Sequence, residues 1–124
     1  MLVTPLLRCA NLEQTRQYYR DVLGFTVSDS AGSTLTVCLQ DSHLLFTEQD
    51  LWPPQPIGCT GTFYLAIEGI EAYFQQVRAQ AEIAWPLQDM DYGAREFGVL
   101  DCNGYYLAFS QRRSDAADAV SAAS

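Results

Sequence analysis

The side chains able to do chemistry in this sequence are few, and their spacing limits what they can do. There is a single histidine, His43, and there are four cysteines, Cys9, Cys38, Cys59 and Cys102. No two cysteines stand in C-x-x-C spacing, so neither a zinc site nor a dithiol redox motif is indicated. Each cysteine reads as a small buried hydrophobe, kept reduced inside a cell. Cys38 falls on a mixed strand face, but no base is identifiable beside it from sequence. His43 follows a polar turn and reads as a solvated hairpin residue. The remaining candidates are aromatic: Trp52, Tyr64, Trp85, Tyr92, Phe97 and Tyr106. Asp89, Asp91 and Glu68 are the local carboxylates, and Arg8 and Arg95 the local cations. Rings with carboxylates suit a flat cationic ligand through stacking, cation–π attraction and charge. Arg8 admits the opposite reading, a partner for a substrate carboxylate or phosphate, beside the plainer one of a structural salt bridge. Arg95, next to Glu96, has the same two readings.

Elements must position these groups. Residues 2–9 read as a strand. Asn11 has the chemistry of a helix N-cap, with Gln14 three residues later, and Leu12, Tyr19, Val22 and Leu23 follow near helical spacing up to Gly24 as C-cap. Strands follow over 25–30, 33–40 and 43–48, with Asp41 and Ser42 as the last turn. Residues 49–60 contain Pro53, Pro54, Pro56, Gly58 and Trp52 and read as a linker. The second half predicts a strand over 61–68, a helix over 70–80 with Ile70, Phe74 and Val77 on one face, and a short strand over 83–87. A polar loop over 88–93 and a hairpin of 95–100 with 105–111, around Cys102, Asn103 and Gly104, complete it. Residues 113–124, rich in Ala, Ser and Asp, read as a flexible tail.

The order of elements in the first half recurs in the second. A shift of 58 positions superposes Thr4 on Thr62, Leu7 on Leu65, Glu13 on Glu71, Gln17 on Gln75 and Arg20 on Arg78. Identities and element order together indicate an internal duplication. Alternation along the strands collects Leu7, Leu35, Val37, Leu44, Phe46, Leu65, Leu107 and Phe109 on one face, apolar enough to pack on two helices. The opposite face takes Thr4, Arg8, Cys38, Leu45, Tyr64, Phe97, Val99 and Tyr106. It is mixed in character, as a curved binding surface would be.

Composition narrows the function classes. The net charge is −8, from 15 acidic and 7 basic residues. That excess argues against nucleic acid and against anionic membrane surfaces, and it is compatible with a cationic ligand. Apolar residues make up 48% of the chain, enough for one real core. No apolar run approaches the roughly 20 residues of a membrane helix, and the first residues lack a signal-peptide core, so a cytoplasmic location is expected.

Residues 12–25, with Glu13, Tyr18, Tyr19, Val22, Leu23, Gly24 and Phe25 in order, resemble the hydrophobic-E-x-x-x-x-F-Y-x-x-V-L-G-F signature of the vicinal-oxygen-chelate superfamily, the glyoxalase and bleomycin-resistance fold. Residues 92–104, with Gly93, Arg95, Glu96, Phe97, Asp101, Asn103 and Gly104, are similar to its G-x-R-E-F-x-x-x-D-P-D-G-N ending, with Cys102 where proline is familiar. The resemblance covers about 2–111. It implies an α+β fold of two βαβββ modules forming an open, cup-shaped mixed sheet with the helices outside. The implied domain is a single one over 1–112: module one 1–48, linker 49–60, module two 61–112. It also implies a homodimer. Metal-dependent members carry ligands on the first and last strand of each module. The matching positions here are Thr4, Leu45, Thr62 and Ala108, which are poor donors or none. The reading is therefore a protein without metal or other cofactor, resembling the bleomycin-resistance members, that sequesters an aromatic or cationic compound. Arg8, Trp52, Tyr64, Trp85, Asp89, Tyr92, Phe97 and Tyr106 are its expected ligand contacts. The alternative is a glyoxalase-like lyase or isomerase with a remodelled or metal-free site.

Overall fold

Asn11 starts the first helix as its side chain requires: Oδ1 accepts the Gln14 backbone N–H at 2.8 Å, satisfying a donor that the helix cannot. The computed structural model describes residues 3–30, 33–49 and 55–112. In chain order it contains β1 (Leu6–Arg8), α1 (Leu12–Gln17), a π-helical turn (Tyr18–Val22), β2 (Thr26–Ser30), β3 (Thr34–Leu39), β4 (Ser42–Thr47), β5 (Thr62–Ala66), α2 (Ile70–Val77), β6 (Glu82–Asp89), β7 (Ala94–Leu100) and β8 (Tyr106–Arg112). They form two four-stranded mixed sheets, ordered β1-β4-β3-β2 and β5-β8-β7-β6. In each sheet the first strand pairs parallel with the last, and the other neighbours are antiparallel. The two sheets thus repeat one topology, as the 58-residue shift predicts. The fold is α+β and the sheets are open rather than closed into a barrel.

The first helix departs from expectation halfway along. Its α-helical part stops at Gln17, and the next turn closes through Leu23 N–H to the Tyr18 carbonyl at 3.1 Å. The wider turn lets two adjacent tyrosines both point inward. Tyr19 is wholly buried and donates to Asp101 at 2.5 Å, while Tyr18 donates to the Leu100 carbonyl at 3.4 Å. These bonds tie the first helix to the second module. Tyr73 on α2 answers them by donating to the Leu23 carbonyl at 2.7 Å, and Tyr105 donates to the Arg8 carbonyl at 2.7 Å.

One core serves both modules. Tyr19, Phe25, Phe46, Tyr73, Phe97 and Phe109 are buried together between the helices and the inner faces of the sheets. Phe25 meets Phe109 across the modules with ring centroids 6.2 Å apart. The opposite, open faces carry the polar and half-exposed side chains.

Three strand expectations need correction. The last turn of the first module is Gln40–Asp41, since Leu39 pairs with Ser42, so it lies one residue earlier than expected. Gln40 takes a left-handed φ of 51° there. Its amide compensates by bonding both ways with Glu68, accepting from N–H at 2.8 Å and donating to C=O at 3.0 Å. β6 runs to Asp89, so the expected loop over 88–93 shrinks to 90–93. Phe97 and Val99 lie on the core face, because β7 pairs them with Phe109 and Leu107. The expected flexible tail over 113–124 lies outside the described residues, as does part of the linker. No helix among the described residues is long and apolar enough to cross a membrane.

Candidate functional site

The open face of the second sheet gathers aromatic residues around a buried carboxylate, and a strand irregularity puts them there. Ile83 pairs with Val99 on the core side, so unbroken alternation would point Trp85 into the core as well. The register instead shifts between them, and Trp85 pairs with Gly98. A bulge of this kind re-aims a side chain by inserting one extra residue. A second shift before Gln88 restores pairing with Glu96. Trp85 thereby lies flat over Gly98, where any Cβ would stand 2.3 Å from indole Cε2. Tyr106 on β8 stacks beside it, with centroids 6.3 Å apart and planes at 26°.

Glu96 sits in the same face of β7, only 1% exposed. The Trp85 Nε1–H donates to Oε2 at 3.1 Å, and the Tyr92 hydroxyl donates to Oε1. Burying a carboxylate is costly unless its charge is answered. Here both donors are neutral, and among the described residues no cation pairs with Glu96. The Tyr92 phenol is pushed well above its usual range, because its hydrogen bond to Glu96 would be lost and two anions would meet if it ionised. Tyr92 therefore stays a donor. Tyr64 on β5, 63% exposed, stands near it and pairs in register with Ala108.

The structure thus brings together Tyr64, Trp85, Tyr92 and Tyr106 of the expected contacts. Arg8 lies elsewhere: its Nη1 donates to the Gln55 carbonyl at 2.8 Å beside a cavity of about 270 Å³ bounded by Ile57, Cys59 and Tyr105. Asp89 is drawn to the helix side, 3.6 Å from Arg95 Nε, while Arg95 Nη1 reaches Glu71 on α2 at 3.1 Å. Phe97 is fully buried in the core, against Phe74 at 4.9 Å and Phe109 at 5.2 Å. Trp52 lies outside the described residues. From sequence Glu96 stands only as a neighbour of Arg95 and as a member of the G-x-R-E-F resemblance. The available signal is an acid in a strand whose other residues, Arg95 apart, are apolar.

A metal of the kind the family resemblance implies does not fit. Leu45 and Ala108 have no donor atoms, Ala108 is fully buried, and Thr4 and Thr62 offer neutral hydroxyls. Among the described residues no three His, Cys, Asp or Glu side chains come together to hold an ion.

The family model described as Glyoxalase/Bleomycin resistance protein/Dioxygenase superfamily matches residues 2–109. Curated proteins give no match to the chain. Solved structures do. A protein of unknown function from Agrobacterium tumefaciens is similar at 20% identity and TM-score 0.75, covering 91% of this chain and 94% of its own. TioX from Micromonospora sp. ML1 is similar at 17% identity and TM-score 0.73, covering 91% and 99%. A glyoxalase/bleomycin resistance protein/dioxygenase from Nocardioides is similar at 17% identity and TM-score 0.69, covering 92% and 85%. At these identities the likeness is one of fold.

Proposed function

The chain belongs to the Glyoxalase/Bleomycin resistance protein/Dioxygenase superfamily, and from that premise we propose that it is a metal-independent small-molecule-binding protein that sequesters an aromatic, cationic compound. The compound lies against Trp85 and Tyr106 on the open face of the second sheet. One observation carries the reading: Glu96 is buried in that face with only neutral donors on it. A flat cation would stack on the rings and supply the missing countercharge. The net charge of −8 adds long-range attraction for such a ligand and repels nucleic acid and anionic membranes. The working unit in this reading is a homodimer in the cytoplasm. The lyase or isomerase alternative has less support, since both Glu96 oxygens already accept hydrogen bonds and are poorly placed to take a substrate proton.

Calorimetry with proflavine, a planar cation, and acridone, its uncharged relative, tests the proposal. Proflavine should bind at least tenfold more tightly. Glu96→Gln should remove most of that preference, because the attraction between the ligand's charge and the carboxylate beneath the rings, at roughly 8 Å and an effective dielectric constant of about 20, is worth about 2 kcal/mol, or roughly 30-fold in affinity. Equal affinities for the two compounds, or a preference that survives Glu96→Gln, would refute it.

A further inference from the structure

We propose that Cys38 and His43 form a nucleophilic thiol site that captures a small, uncharged α,β-unsaturated carbonyl compound. The thiol and imidazole are on the first sheet; of the second sheet the site uses only Phe63 and Tyr64 of β5, and its argument does not rest on Trp85, Tyr106 or Glu96. The Gln40–Asp41 turn sets the register that places Cys38 opposite His43 on adjacent strands. Both side chains occupy the open face, and Cys38 Sγ lies 3.1 Å from His43 Nδ1. Cys38 is half-buried and His43 exposed, so reagents can reach the pair. The hairpin tip that sets this spacing is not loose. Gln40 holds it to Glu68 by the two amide bonds described above, against an unfavourable backbone angle.

A cavity of about 320 Å³ adjoins His43, with Ser42 and Tyr64 as hydroxyl donors and Leu44 and Phe63 as apolar wall; Cys38 is outside this wall, so a captured molecule must extend past His43 to meet the sulfur. That lining suits a compact molecule with one carbonyl oxygen. Asp41 at its edge and the overall charge of −8 disfavour an anionic one.

A thiol beside an imidazole has both halves of the required chemistry. With Nδ1 unprotonated, the thiol proton passes to it as sulfur attacks the β-carbon and a C–S bond forms. The C=C electron pair becomes an enolate, whose oxygen the hydroxyls can hold. The imidazolium then returns the proton to the α-carbon. The product is a thioether adduct, the histidine is regenerated, and no oxidant or reductant is consumed.

The chain contains its own reference thiol. Cys59 is more exposed than Cys38 and pairs with no histidine, the only one being His43. The native protein is treated with N-ethylmaleimide at pH 7 and the modified cysteines are followed by peptide mass spectrometry. Cys38 should react at least tenfold faster than Cys59, with a rate that saturates as maleimide is raised. A carboxylate-bearing maleimide should lose that advantage. His43→Gln should bring Cys38 to the rate of Cys59 or below, while Cys59 keeps its own rate. Faster labelling of Cys59 in the native protein overturns the proposal whatever the variant does. So does an unchanged ratio in His43→Gln, or a Cys38 rate that rises linearly without saturating.

Discussion

Gly98→Ala is the smallest change that tests how the aromatic surface is held. The added methyl would stand 2.3 to 2.5 Å from three atoms of the Trp85 indole, so the ring must leave its place. Leaving breaks the hydrogen bond to Glu96, worth about 1.5–3 kcal/mol for a charged acceptor. It also breaks the stack on Tyr106, worth about 0.5–1.5 kcal/mol. Alanine's lower backbone entropy in the unfolded chain offsets about 0.5–1 kcal/mol. The net expectation is a loss of about 1–4 kcal/mol, read as a lower urea midpoint by circular dichroism. Trp85→Leu supplies the control. In that background the methyl meets a smaller, flexible side chain, and Gly98→Ala should be close to neutral. A double-mutant cycle therefore isolates the indole. Equal losses in both backgrounds would mean that the methyl strikes something other than Trp85. A loss below about 0.5 kcal/mol in the native background, within the range of ordinary surface changes, would mean that the ring does not lie on Gly98.

Two other outcomes follow from the core. Phe97→Ala should cost about 3–5 kcal/mol of stability by opening a cavity, yet leave proflavine affinity of the folded protein unchanged; lost affinity with intact stability would return Phe97 to the open face. Burial holds Tyr19 and Tyr73 protonated well above the usual tyrosine range. The folded state therefore keeps protons that the unfolded chain releases above pH 10, and stability should fall by about 1.4 kcal/mol per pH unit for each group over that range, with no contribution from either below it. Urea midpoints between pH 9 and 11.5 measure the slope, which Tyr19→Phe with Tyr73→Phe should flatten; an unchanged slope in that variant would count against both assignments.

How much of this was legible in sequence depends on whether a strand has two different faces. In β3 and β4 alternation told the core side correctly, because Leu35, Val37, Leu44 and Phe46 alternate with hydroxyls and other residues that the core does not need. β7 gave no such contrast. From Ala94 to Leu100 nearly every residue is buried on one side or the other, so period-2 reading had no polarity to follow and Phe97 was placed on the wrong face. Trp85 was placed near the surface it occupies, but simple alternation cannot foresee the extra residue that turns it there. The Cys38–His43 pair was lost to an error of one position. A turn at Asp41–Ser42 would pair Cys38 with Leu45, whereas Gln40–Asp41 pairs it with His43. A glutamine with left-handed φ is an unusual turn former, and what stabilises it is Glu68, 28 residues away. The Asn11 cap and the inner strands were readable because each rests on local spacing, and the 58-residue repeat because element order and identities recur along the chain.

The two register shifts in β6 have a consequence for how this protein could diverge. Among the described residues β6 is the last strand of its sheet and has a neighbour on one side only. Length changes in such a strand disturb one ladder, the one with β7. Removing one residue between Ile83 and Trp85 would turn the indole inward and offer a different side chain to the outside. Descendants of one ancestor could in this way exchange the lining of their ligand surface by single-codon insertions and deletions, with repacking confined to the layer under β6.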